Sequence, residues 1–113
     1  MEDYIEMIYR KVKNKYITIK ELSENLNVKA SSVSKMGNKL KELNLVNFER
    51  YGKINLTKEG IILGKYLLHR HNVLKNFFKK LNKEKYNLEQ VEKVEHFMDI
   101  DTIYNLEKLL SKI

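Results

Sequence analysis

None of the 113 residues is proline and only four are glycine, so little in the chain obliges a helix to stop. Apolar residues recur at three- and four-residue spacing over long stretches, and such a chain folds mainly as α-helix. The spacing predicts a first helix over 2–12 with Ile5, Ile8, Tyr9 and Val12 as its apolar stripe. Asp3 and Glu6 fall on the opposite side of that wheel. A long helix is predicted over 58–81, with Thr57 as N-cap and Glu59 in its first turn. Its apolar arc, from Ile62 through Leu63, Tyr66, Leu67, Leu74, Phe77 and Phe78 to Leu81, is wide enough for two partners, as in a helix that joins two lobes. Shorter helices are expected over 87–98 and 102–112, with Asp101 placed to cap the last.

Between the first helix and the long one, "TIKELSENLNVKASSVSKMGNKLKELNLV" reads as a short helix, a turn around Asn27 and Val28, and a second helix opening near Ser31. Leu22, Leu26, Val28, Val33, Met36 and Leu40 sit at the offsets by which two crossing helices share a small core, a helix-turn-helix pattern. "LVNFERYGKINLT" then alternates apolar and polar on both sides of Tyr51-Gly52, a β-hairpin in the position of a wing. With Val33, Met36, Leu40 and Leu43 turned inward, Ser31, Ser32, Ser34, Lys35, Asn38 and Lys39 are left outward. Those types donate to phosphates and read base edges in a major groove. Arg50 and Lys53 on the wing tip are candidates for the flanking backbone. The ordinary alternative is a solvated lysine-rich face. Gly37, mid-helix, costs about 1 kcal/mol against alanine; it is either a close approach to DNA or a tolerated weakness.

Charge favours the DNA-binding reading. The formal net charge is +7, divided as +10 over residues 1–83 and −3 over 84–113, a basic body suited to a polyanion and an acidic end suited to some other task. Without cysteine, zinc fingers, iron–sulfur clusters and thiol catalysis are excluded. No apolar run reaches the roughly 20 residues that span a bilayer, and "MEDYIEMIYRK" is too acidic for a signal peptide, so the expected location is the cytoplasm.

The acidic end holds "VEKVEHF", Val91 to Phe97. Glu92, Glu95 and His96 share one patch of a helix, beside and not opposite the stripe of Leu88, Val91, Val94 and Met98. Carboxylates at the border of a buried face need a partner, either a metal ion or a lysine such as Lys93. His71 borders the apolar arc of the long helix, whereas His69 projects elsewhere. Asp3 and Glu6 make a third group, for which Arg10 offers an i, i+4 ion pair. Taken singly, each group has this ordinary account.

Taken together, "MEDYIEMIYR", "SSVSKM", "INLTKEG", "GKYLLHRH" and "VEKVEHF" come in the same order and at nearly the same separations as in the manganese transport regulators, a short-form branch of the diphtheria toxin repressor superfamily, which the chain resembles over essentially its whole length. The resemblance implies a mainly α protein. A winged helix-turn-helix with a small β-hairpin wing (1–65) would precede a helical dimerisation and metal-binding lobe (66–113). It implies a homodimeric, metal-activated repressor of metal-uptake genes that binds a double-stranded operator and has no organic substrate. Carried over by motif, Asp3, Glu6, His71, Glu92 and Glu95 would hold one ion, and Glu6, Glu92 and His96 a second. His69 matches no ligand position. Four carboxylates and two imidazoles without sulfur suit Mn²⁺, with Fe²⁺ or another divalent ion also possible. Iron-responsive relatives carry methionine at the Asp3 position and cysteine at the Glu92 position. Against that pattern, Lys29-Ala30 replaces a proline-containing entry to the recognition helix, and the chain stops short of a final helix. The alternatives are a metal-independent winged-helix regulator and, from another class, a dinuclear metallohydrolase.

Overall fold

The computed structural model describes residues 1–11, 16–49 and 52–113. They form two compact units, Met1–Leu67 and Leu68–Ile113.

In the first unit, α1 (Glu2–Lys11) buries Ile5 and Ile8 at i, i+3 spacing, with Glu2 and Asp3 in its first turn, where the helix dipole favours negative charge. Val12, the last of the predicted stripe, lies outside the described residues. The strand β1 (Ile17–Thr18) leads directly into α2 (Ile19–Leu26), whose N-cap Thr18 accepts a hydrogen bond from the Glu21 amide. Asn27 ends α2 in the left-handed region at φ 54°, a conformation asparagine tolerates. The recognition-type helix α3 (Ala30–Glu42) follows, then β2 (Val46–Phe48) and β3 (Lys53–Leu56). The hairpin register pairs Val46 with Leu56 and Phe48 with Ile54, and Gly52 supplies the positive φ of the connection.

β1 completes a three-stranded antiparallel sheet in the order β1-β3-β2, through Ile17 opposite Ile54 and Thr18 opposite Lys53. The core beneath it gathers Ile5, Ile8, Leu22, Val33, Leu40, Ile54 and Leu67. Each such side chain contributes about 1.5–3 kcal/mol by leaving water.

The long helix α4 (Lys58–Leu81) has the expected limits, and Thr57 caps it by accepting from the Gly60 amide at 3.0 Å. Its inward face in the first unit differs from expectation: Ile62 is 62% exposed, while Gly60 and Gly64 are buried. A Cβ at Gly60 would strike the Leu45 carbonyl and one at Gly64 the Tyr9 side chain. Small residues on this face let α4 approach its neighbours closely, which displaces Ile62 to the outside. Two predicted core residues are likewise exposed, Val28 because Asn27 reverses the chain before it, and Leu43 because α3 has ended at Glu42.

In the second unit, α4 packs Val73, Leu74 and Phe78 against Val91 of α5 (Leu88–Glu95) and against Ile103 and Leu110 of α6 (Ile100–Leu110). Both short helices end earlier than their periodicity suggests. Asn87 caps α5 and Asp99, not Asp101, caps α6 by accepting from the Thr102 amide at 2.7 Å. Leu81 and Leu88, assigned to apolar faces by spacing, are mostly exposed where α4 ends and α5 begins. Among the described residues, no helix is long and apolar enough to cross a membrane.

Candidate DNA interface and metal-binding residues

Along α3, Val33 and Leu40 are fully buried and Met36 packs against them. Ser31, Ser32, Lys35, Asn38 and Lys39 are exposed and Ser34 half-buried. The outward face therefore offers hydroxyls in the first turn, then an amide and two ammonium groups. Lys29 occupies the N-cap without a side-chain cap hydrogen bond, which leaves the leading amides of α3 without a side-chain acceptor. Gly37 lies on the inner side: it is buried, and a Cβ there would collide with Cδ2 and Cε2 of Phe48. The suggestion that it admits DNA is thus corrected; glycine makes room for the wing strand β2. Lys53 opens β3 half-buried, with its ammonium 4.5 Å from the centre of the Tyr16 ring, a cation–π contact on the hairpin. Arg50 lies outside the described residues.

The six candidate ligands fall in both units. In the first, Asp3 is exposed and Glu6 accepts a hydrogen bond from Arg10 Nη2 at 2.7 Å, the ordinary i, i+4 pair. In the second, His71 Nδ1 stands 3.3 Å from Glu95 Oε2, and Glu95 is 4% exposed. Glu92 and His96 are exposed on the same helix and at its C-cap, where His96 keeps right-handed helical backbone angles, so the i, i+4 relation between them survives the helix end. Lys93 pairs with Glu89 at 2.9 Å, and so is not the cation that answers Glu95. Among the described residues, no three of these side chains converge in a ready-made metal cluster; His71 and Glu95 are the pair brought together.

His69 points away from that pair, as the helical wheel predicts: its Nε2 is 3.2 Å from Glu107 Oε2 and its ring stacks on Tyr104. Arg70, between the two histidines, is the residue that the sequence did not mark. It is 5% exposed, with Nη2 3.9 Å from Glu95 Oε1. Its one available signal was position, adjacent to His71 on the arc that α4 buries.

The model of the iron dependent repressor N-terminal DNA binding domain matches residues 1–54, and that of the metal binding and dimerisation domain matches residues 57–113. The chain belongs to the iron-dependent repressor family. Within that family it is 37% identical over 105 residues to the HTH-type transcriptional regulator MntR of Shouchella clausii, across 91% of this chain and 73% of that protein. It is 38% identical over 117 residues to an uncharacterized HTH-type transcriptional regulator of Methanocaldococcus jannaschii, across 99% and 93%. Among solved structures, the manganese regulator SloR is similar at a TM-score of 0.81 and 31% identity, covering 97% of this chain. The chain spans 53% of SloR's length, about half. The iron-dependent repressor fold, a winged helix-turn-helix followed by a helical domain, is the one described above. These relatives in the family are named as transcriptional regulators.

Proposed function

We propose that this iron-dependent repressor family member is a manganese-responsive transcriptional repressor. It binds operator DNA as a homodimer and controls genes of metal uptake. Its DNA-binding part is assigned to 1–65 and its dimerisation and metal-binding part to 66–113. α3 would enter the major groove with Ser31, Ser32, Ser34, Lys35, Asn38 and Lys39, while Lys53 of β3, and Arg50, would engage flanking phosphates.

The observation that carries the metal half is the approach of His71 to the buried Glu95. An imidazole and a shielded carboxylate side by side are two donors of the type Mn²⁺ accepts. The full donor set, Asp3, Glu6, His71, Glu92, Glu95 and His96, is hard and oxygen-rich and fits that ion. One ion would take Asp3, Glu6, His71, Glu92 and Glu95; a second would take Glu6, Glu92 and His96, with Glu6 and Glu92 shared. When bound, the ions supply positive charge on which these side chains from α1, α4, α5 and the α5 C-cap can converge. Glu6 must release Arg10 to take part. Binding of metal and of operator are then coupled, by about 1–3 kcal/mol if the coupling is typical of proteins.

The test is a titration of chelator-treated protein with Mn²⁺, free ion being counted by electron paramagnetic resonance, alongside operator binding with and without chelator. Two ions per chain, fewer in Glu92→Ala, and operator affinity that falls on chelation support the proposal. An operator affinity indifferent to chelator sinks it in favour of a metal-independent regulator.

A further inference from the structure

We infer that Arg70 is a resident counter-cation for Glu95, one that raises the concentration of divalent metal needed to occupy the site; this rests on the ligand set proposed above. Arg70 and His71 are consecutive on α4 and both reach the same carboxylate of α5, Arg70 Nη2 at 3.9 Å from Oε1 and His71 Nδ1 at 3.3 Å from Oε2. The side chains of Arg70 and Glu95 are each 6% exposed. A carboxylate so far from water persists as an anion only beside positive charge or hydrogen-bond donors.

A guanidinium carries a positive charge and has no lone pair to offer a metal. Its charge is therefore present whether or not an ion is bound. In the metal-free protein that charge faces the Glu95 carboxylate across 3.9 Å and holds it in place. Against an incoming cation the same charge is repulsive, because like charges a few ångströms apart in a poorly hydrated interior interact strongly. Four carboxylates with two neutral imidazoles would be neutralised by two divalent ions alone, and Arg70 adds a positive charge beyond that balance. Arg70 is a positioning residue for Glu95 that also sets the metal threshold.

The test compares Arg70→Gln, which keeps an N–H donor but loses the charge, with Arg70→Lys, which keeps the charge. Chelator-treated proteins are titrated with Mn²⁺ and, separately, unfolded thermally without metal. Arg70→Gln is expected to bind Mn²⁺ about tenfold or more tightly than wild type, within the span of typical site-to-site coupling, yet to melt lower when metal-free. Arg70→Lys should stay near wild type in both. Affinity in Arg70→Gln equal to or weaker than wild type overturns the inference and leaves the ligand set standing. Should Arg70→Gln not fold, the Arg70→Gln/Glu95→Gln pair, which lacks both charges, is expected to recover stability; failure to recover overturns the counter-ion role. Wild-type protein that binds no Mn²⁺ overturns the ligand set itself, whereas the double variant still reads the Arg70–Glu95 pairing without metal.

Discussion

The ring of Phe48, on the wing strand β2, lies against the backbone of Gly37 in the middle of α3. Alanine at position 37 would improve intrinsic helix propensity by about 1 kcal/mol, but its methyl would collide with the ring, and overpacking of this kind costs about 1–3 kcal/mol. Gly37→Ala is therefore expected to lower the thermal midpoint. Trimming the ring in Gly37→Ala/Phe48→Leu should restore much of the loss; a single variant more stable than wild type would contradict the packing.

Thr57 should matter more than its half-exposed position suggests. Its hydroxyl donates to the Asn44 carbonyl at 2.7 Å and accepts from the Gly60 amide at 3.0 Å. Thr57→Val removes both and is expected to cost about 1–2 kcal/mol, as loss of an N-cap does. Thr57→Ser should be nearly neutral. Urea denaturation followed by circular dichroism separates the two.

Asp99 gives the protein one acid-sensitive contact. Hydrogen bonds from Thr102, side chain and backbone, hold its carboxyl below the usual carboxylate range. A carboxyl whose folded pKa is depressed stabilises the fold above its unfolded pKa, near 4, and loses that contribution as pH falls through the folded value. The stability difference between wild type and Asp99→Ala should therefore be constant near neutrality and shrink in acid below about pH 4. A difference that does not change between pH 7 and pH 2 would mean the cap works through shape alone.

On α3, Lys35 and Lys39 are expected to act on phosphates and Asn38 on a base. Each lysine replaced by alanine should weaken binding to all sequences alike and reduce the dependence of log affinity on log salt by about one. Asn38→Ala should cost about 1–3 kcal/mol on the preferred operator and less on others. Competition assays at two salt concentrations distinguish these outcomes.

Helices were the legible part of this chain, and their limits the less legible part. The period of Ile5 and Ile8, of Val33 and Leu40, and of Leu67, Leu74 and Phe78 is set by burial, so it survives in the sequence as spacing. β1 has only two residues and no period; its sole trace is the β-branched run Ile17-Thr18-Ile19. Gly60 and Gly64 form part of the buried face of α4, but glycine carries no hydropathy signal, so Ile62 was assigned the place they take. At α6 the spacing placed the start at 102 and the cap at Asp101, whereas the helix begins two residues earlier, at Ile100, and Asp99 caps it.

The candidate metal residues divide along the same line. The spacing of Glu92, Glu95 and His96 was readable because the helical period fixes it. That Glu95 alone of the three would be buried was not, because burial depends on what α4 presents to it. In a chain with 22 lysines and arginines, one arginine turned inward leaves no mark in composition. Arg70 had to be found in the fold.

Thr57 joins two stretches of chain through three hydrogen bonds: its amide donates to the Leu45 carbonyl at 3.0 Å, its hydroxyl to the Asn44 carbonyl, and it receives the Gly60 amide. Asn44 and Leu45 directly follow α3, and the Leu45 amide is itself bonded to the Leu40 carbonyl. The end of α3 and the start of α4 are thereby tied by hydrogen bonds that run from Leu40 through Leu45 and Asn44 to Thr57. A twist applied to the first turn of α4 would therefore pull directly on the end of α3, the helix proposed to read the operator.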